Sequence, residues 1–364
     1  MSSAELVELF EAYRSDGYAS VRTVDAESSL AWFYRAVLAY AEGEFRDASA
    51  FAATAATREP ENIVFGEAAQ WLERRTATGR AGVYELRDAF AAFVRGGGNV
   101  ALYAATSERL RRVYAEYDSV ALLDIGVGDG AALLPALSDR VGHVDLVEPS
   151  ESLLAVTTAA LSARGISHRA FCSTLEEFVA APPAVGVWDL TQATFALQSA
   201  RPTERQVELR WLASHTARLV LAEFDVPRFD DPQAPARVQY VVERYSRGLA
   251  EYVEDRELVA QGFLMPMLFG SFDRTTARTN YEQPIESWAD DLRTAGFTHV
   301  AAERLYRYWW ADAYLVDARR ETTRDPLTHP SLGNSKRAMI PLSPPSGTGR
   351  SGWRVATHAT PCSG

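Results

Sequence analysis

From residue 119 onward, short apolar runs alternate with stretches whose apolar positions recur every three or four residues. A short continuous run reads as a strand buried on both faces, and the longer spacing reads as an amphipathic helix. V-A-L-L-D predicts a strand ending at Asp124, with a helix over 131–137 behind it. G-H-V-D-L-V-E predicts a second strand ending at Glu148, followed by a helix over 152–164. Further strands are expected near 168–172, 186–195 and 217–225, with a helix over 203–215. This alternation predicts a parallel sheet covered by helices on both faces. The pattern then changes. Val238, Val241, Val242, Tyr245, Leu249 and Tyr252 give 236–253 helical spacing. Pro284 and Gly296 bracket another helix as start and stop. The last two strands, 298–306 and 309–317, are joined too tightly for a helix and must pair antiparallel.

Ahead of the sheet the spacing predicts helices alone. Ser2 and Glu5 have capping-box spacing, with Leu6, Leu9, Phe10 and Tyr13 on one face behind them. Trp32, Gly43, Phe45, Ala48, Ala55 and Pro60 match one tetratricopeptide unit in spacing, although Arg35, Ala36 and Ala39 replace its leucine, glycine and tyrosine. One unit is too few for a solenoid. Two readings stay open, a hairpin packed on the catalytic domain or a module for a protein partner or a homodimer. Helices near 83–94 and 99–117 flank Gly96-Gly97-Gly98, either a hinge for a cap or a plain connector. Tyr103, Thr106 and Ser107 follow and are expected at the mouth of a site. The expected organisation is a helical region over 1–80, a cap over 81–118 and an α/β domain over 119–320 with a helical insertion at 233–275. The tail, 321–364, is rich in Pro, Ser, Thr, Gly and Arg without apolar periodicity and is expected to be disordered.

The chemistry concentrates after the first strand, in D-I-G-V-G-D-G. Gly126, Gly128 and Gly130 suit a tight turn against which a ligand lies directly. Gly126-x-Gly128-x-x-Ala131 also satisfies the dinucleotide fingerprint, which seats a pyrophosphate on a helix N-terminus. Asp124, two residues before the first glycine, would repel a pyrophosphate and pair with an ammonium. An ordinary strand–turn–helix is the third reading. Glu148, 20 positions after Gly128, is placed to accept hydrogen bonds from ribose hydroxyls in either cofactor class.

D-x-G-x-G-x-G resembles the first motif of the class I methyltransferases, and the terminal hairpin matches their sheet. The resemblance spans residues 119–318. It implies a Rossmann-like methyltransferase fold, a mostly parallel seven-stranded sheet with a C-terminal antiparallel hairpin, and S-adenosyl-L-methionine as cofactor. It places Asp124 near the methionine end and Glu148 on the ribose. Ser173, Thr174 and Leu175 fall at the adenine edge, where Thr174 or Ser173 could equally be a helix N-cap. Asp189, Thr191 and Gln192 fall near the reacting methyl by position. The acceptor side is assigned by position to Tyr103, Gln198, Glu223, Asn280 and Tyr281, with the apolar stretch 263–272 as a wall for a greasy acceptor. No catalytic residue is identified. L-D-I-G-V-G-D-G-A-A-L-L-P-A-L and E-S-W-A-D-D-L-R-T-A-G-F are further similar to the GRAS family. That family's bacterial members resemble small-molecule methyltransferases, and its plant members are regulators. A methyltransferase-fold binding protein without turnover is therefore the alternative.

Composition narrows the partners. The formal net charge of −11 argues against a nucleic-acid surface. No apolar run reaches membrane-spanning length and no secretory signal opens the chain, so a cytoplasmic protein is expected; the small-molecule substrate is what the methyltransferase resemblance implies. Cys172 and Cys362 are too few for a disulfide framework, and Cys172 is expected to be buried. No H-x-x-x-H, C-x-x-C or H-E-x-x-H occurs, so no metal is expected. The motifs of serine hydrolases and P-loop enzymes are likewise missing.

Overall fold

The computed structural model describes residues 2–78, 87–182 and 187–321. The expected disordered tail, the start of the helix expected from 83, and Gly186 lie outside the described residues, apart from Glu321. The helices α1 (Ser2–Asp16), α2 (Tyr18–Val21), α3 (Ser29–Ala41), α4 (Phe45–Arg58), α5 (Ile63–Thr78), α6 (Arg87–Arg95) and α7 (Asn99–Tyr114) lead into the sheet. There follow β1 (Val120–Ile125), α8 (Leu133–Ala136), β2 (Val141–Val147), α9 (Glu151–Ala163), β3 (His168–Phe171), α10 (Leu175–Ala180), β4 (Trp188–Thr194), α11 (Pro202–His215) and β5 (Thr216–Phe224). The chain ends with α12 (Pro235–Ala250), α13 (Arg256–Val259), α14 (Met265–Gly270), α15 (Ile285–Ala295), β6 (His299–Arg307) and β7 (Asp312–Arg319).

The seven strands run in the order β3-β2-β1-β4-β5-β7-β6. β1 to β5 are parallel, and β7 pairs antiparallel with both β5 and β6. This is the Rossmann-like methyltransferase fold. Each strand turns alternate residues to opposite faces, so the sheet has two cores. Leu122, Leu146, Leu190 and Val220 pack under α7, α8 and α9 with Leu110 and Tyr114. Leu123, Ala193, Leu219 and Leu221 pack under α10, α11 and α15 with Leu209, Trp288 and Leu292. The helix α15 stops where Gly296 takes the left-handed conformation at φ 113°, which glycine adopts without a Cβ penalty.

A third core joins the N-terminal helices to α12–α14 in one helical body. The Trp71 and Phe269 rings stack at 5.2 Å across it. The Tyr34 hydroxyl donates to the Gln233 carbonyl, and Gln261 Nε2 donates to the Glu67 carbonyl at 3.0 Å. The stretch 263–272 is spent here. Phe263, Leu264, Met265, Leu268, Phe269 and Phe272 are all buried in this core and offer no wall to a ligand.

Some expectations are corrected. Behind β1 the helix is a single turn, not seven residues. The Ala131 N–H is taken by the Asp129 carboxylate at 3.2 Å, and Leu137 turns extended at ψ 138°. The Ser2 side chain of the expected capping box lies outside what the structure describes; the Glu5 carboxylate receives the Glu27 N–H and the Ser28 hydroxyl, tying α1 to the start of α3. Cys172 is half-buried instead of buried, because it lies past the end of β3. Trp309 lies in the β6–β7 turn, where Gly248 makes room for it; a Cβ there would sit 2.6 Å from the indole.

Candidate active site

β1 delivers the chain into a turn where Gly126, Gly128 and Gly130 hold φ of 66°, 58° and 80°. The three glycines are required for different reasons. A Cβ on Gly126 would lie 2.4 Å from the Ala196 Cβ, and one on Gly130 would lie 2.7 Å from Leu134. Those two allow the protein to close on itself. At Gly128 nothing stands within 4 Å of the Cβ position, so this peptide alone of the three faces open space. The one-turn α8 lacks the aligned peptides that give a helix its positive end. A pyrophosphate seat is therefore missing, and the dinucleotide reading loses its physical basis.

Beneath the turn lies a buried chain of polar groups. In the parallel register Asp124 is level with Gln192, so both side chains share a face. Gln192 Nε2 donates to Asp124 Oδ2 at 2.7 Å, and the Tyr114 hydroxyl on α7 donates to Gln192 Oε1. Asp124 is 1% exposed, and its Oδ1 is buried without a partner. Burial raises its pKa to about 7; the Gln192 bond opposes the rise and the Glu148 charge adds to it. A buried carboxylate with an unused oxygen favours a cationic donor. Gln192 thus acts from below, through Asp124.

Glu148 follows β2 and is also buried. Its Oε2 accepts the Gly128 N–H at 3.0 Å and its Oε1 accepts the Ser150 N–H at 2.9 Å. Thr157 on α9 donates to the Gly128 carbonyl at 2.8 Å, so the open peptide is held from both ends. An ionised carboxylate has about four acceptor sites, so two remain on Glu148 for ligand hydroxyls. Thr174 is the N-cap of α10 in a full capping box with Glu177, so its side chain is committed. Ser173 keeps a buried hydroxyl without a partner, and Leu175 is buried beside it. Thr191 is level with Leu123 and Leu219, so it faces the opposite core and cannot reach the turn. Asp189 sits at the start of β4, where it accepts the Ala121 N–H at 2.9 Å, at the far end of the sheet from the turn.

The acceptor-side residues separate in the same way. Glu223 is fully buried and accepts the Leu197 N–H at 3.0 Å; its other oxygen has no partner. Burial, reinforced by Glu282, raises its pKa to about 8. It secures the loop leaving β4. Gln198 bonds the Phe195 carbonyl at 3.2 Å with a buried, unpartnered Oε1. Tyr281 donates its N–H to the Gln198 carbonyl at 2.7 Å and its hydroxyl to the Arg278 carbonyl, so it braces this loop. The Asn280 side chain accepts the Glu282 N–H at 3.2 Å. Tyr103 stands beside the turn, edge-on to Phe195 at 6.1 Å, whereas Thr106 and Ser107 bond helix and turn carbonyls. The triglycine is neither loose nor open. Gly98 donates to Glu251 at 2.7 Å, and a Cβ on Gly96 would lie 2.8 Å from Tyr252. Asn99 then joins the Tyr252 hydroxyl at 3.0 Å to that of Tyr308 at 2.8 Å.

Sequence reasoning missed Tyr114, Phe195, Asn99 and Glu282. Tyr114 had a signal, the stripe of Leu110, Val113, Tyr114 and Tyr117, which reads as core until its hydroxyl needs a partner. Phe195 had none, because φ of 55° at a phenylalanine is not written in residue type.

No protein-family model matches the chain, and no curated protein matches it significantly. Solved structures resemble it. Magnesium protoporphyrin IX methyltransferase from Synechocystis PCC 6803, with bound SAH, aligns at 14% identity and a TM-score of 0.42, over 68% of this chain and 96% of that one. The mitomycin 7-O-methyltransferase MmcR aligns at 16% identity and 0.41, over 83% and 75%. A candidate O-methyltransferase from Nostoc punctiforme PCC 73102 aligns at 13% and 0.40, over 59% of this chain and 55% of that one, so this chain spans about half that protein's length. Among the described residues no helix is long and apolar enough to cross a membrane.

Proposed function

We propose that this chain binds S-adenosylmethionine and transfers its methyl group to a small-molecule acceptor. One observation carries the reading. The buried, unpartnered Asp124 Oδ1 lies under a turn whose Gly128 peptide faces open space. The residues present fit the cofactor. Asp124 would receive the ammonium end, the spare acceptor sites of Glu148 the ribose hydroxyls, and the unpartnered Ser173 hydroxyl the adenine edge. When bound, S-adenosylmethionine supplies an activated methyl on a sulfonium, so the protein's task is mainly orientation.

Tyr114 and Gln192 fix the Asp124 carboxylate against rotation, and Thr157 and Glu148 fix the Gly128 peptide. The GRAS-like segment of α15 supports packing in place of chemistry. Trp288, Leu292 and Phe297 are all buried, and the Arg205 guanidinium lies 4.2 Å over the Trp288 ring. The test is equilibrium binding of S-adenosylmethionine against NADH. The proposal expects the first to bind and the second not; NADH binding alone would overturn it.

A further inference from the structure

The residues around the exit of β5 define a ligand class. We infer that the acceptor is a planar aromatic molecule whose ring rests on Phe195 and Phe224 and whose hydroxyl or amine donates to the Glu282 carboxylate. Calling this ligand the acceptor rests on the methyl-transfer reading above.

The platform adjoins the glycine turn. Phe195 precedes Ala196, the residue on which Gly126 closes. The Phe195 and Phe224 rings stack at 4.7 Å and 24°, and both are half-buried. Tyr308 continues the stack on Phe224 at 5.3 Å. Phe195 is the non-glycine residue with positive φ among those described, at 55°. Its N–H donates to the Ala222 carbonyl at 2.8 Å, which holds it there. A bulky residue in that region costs of order 1–2 kcal/mol, and such strain collects at functional sites.

Glu282 joins the platform through the backbone. Asp225 and Gln283 form a parallel bridge, and the Val226 N–H donates to the Gln283 carbonyl at 3.3 Å. Register partners in a parallel pair share a face, and successive side chains alternate. Phe224 and Glu282 each precede a partner of this bridge, which brings the two residues alongside each other. Glu282 accepts Trp310 Nε1 at 2.8 Å and lies against the Asn280 side chain, which still leaves acceptor sites on a four-site carboxylate. Tyr245 packs on the same indole at 5.8 Å. Its ring is 7% exposed and forms one side of the pocket wall around Glu282.

The charge on this wall selects further. Arg237 gives N–H groups to the Pro232 and Ser271 carbonyls, and its guanidinium lies 4.3 Å over Phe272. The Arg237 cation is committed to these contacts, whereas Glu282, beside Arg237 and Arg278, keeps acceptor capacity beyond its bonds to Trp310 and Asn280. An acidic ligand is disfavoured, and a hydrogen-bond donor is favoured.

Three probes test this by calorimetry on the full chain without cofactor: 2-naphthol, 2-methoxynaphthalene and decahydro-2-naphthol. The inference expects 2-naphthol to bind roughly tenfold tighter than either analogue, one lacking the donor and the other the aromatic face. Glu282→Ala should weaken 2-naphthol about tenfold and leave 2-methoxynaphthalene unchanged, a difference that general loosening of the fold cannot produce. Phe224→Leu should weaken both naphthalenes. Equal binding of all three probes, or no 2-naphthol binding by folded wild type, would overturn the inference. Parallel titration with S-adenosylmethionine separates the two readings. Cofactor binding without 2-naphthol sinks this inference alone. Binding of 2-naphthol without the cofactor keeps the platform and removes its role as an acceptor site.

Discussion

Replacing Asp124 by asparagine should stabilise the ligand-free protein while removing its cofactor affinity. The side chain is 1% exposed, and its pKa rises from 3.8 to about 7, chiefly through burial. A carboxyl whose folded pKa is raised binds its proton more tightly in the native state. Its contribution is therefore fully present below pH 3.8 and is lost as pH climbs through about 7. The rise is roughly 3 units at 1.36 kcal/mol each, so ionising Asp124 costs the native state on the order of 4 kcal/mol by pH 8. Asparagine matches the protonated carboxyl in shape and keeps an acceptor for Gln192, but it does not ionise. The stability advantage of Asp124→Asn should grow between pH 4 and pH 7 and then level. Urea unfolding of both proteins across that range measures it, and subtraction cancels the other raised carboxyls, Glu67, Glu208, Glu223 and Glu282. The same linkage predicts that wild-type affinity for S-adenosylmethionine falls as pH drops below 7, because the ammonium requires the ionised form. A stability difference that stays flat from pH 4 to pH 8 would refute the reasoning.

Other consequences follow from the same geometry. Gly126→Ala drives a Cβ into Ala196 in a left-handed position and should cost about 2 kcal/mol or more, read as a lowered urea midpoint. Gly128→Ala meets no atom, so it should cost only the ~1–2 kcal/mol of its φ yet weaken S-adenosylmethionine at least about tenfold by calorimetry. Asn99→Ala strands the Tyr308 hydroxyl, while Tyr252 keeps its bond to the Phe93 carbonyl, and should destabilise by roughly 1–3 kcal/mol, seen as a lower melting temperature. Gln192→Leu removes the bond that opposes the Asp124 shift, so the pH below which cofactor affinity falls should move upward.

Much of the fold could be read from the chain. Each strand buried on both faces announces itself as an apolar run, and the tight 306–309 connection dictates the antiparallel end. The turn was readable because three left-handed positions demand glycine. What those glycines face was not, since Ala196 and Leu134 meet two of them only after folding. The same holds for Gln192, whose proximity to Asp124 depends on β4 lying level with β1 across 68 residues. Position alone placed Thr191 beside it, but the two-residue period of a strand sends that hydroxyl to the other face. Glu282 was silent because its meaning comes from the one bridge that its neighbour Gln283 makes to Asp225.

Calorimetric titration of the full chain with S-adenosylmethionine at pH 8, beside Asp124→Asn, tests the central claim most directly. The account predicts micromolar or tighter binding by the wild type, lost in a variant that is at least as stable. Folded wild-type protein that takes up no cofactor, or a variant that binds it equally well, would contradict the account.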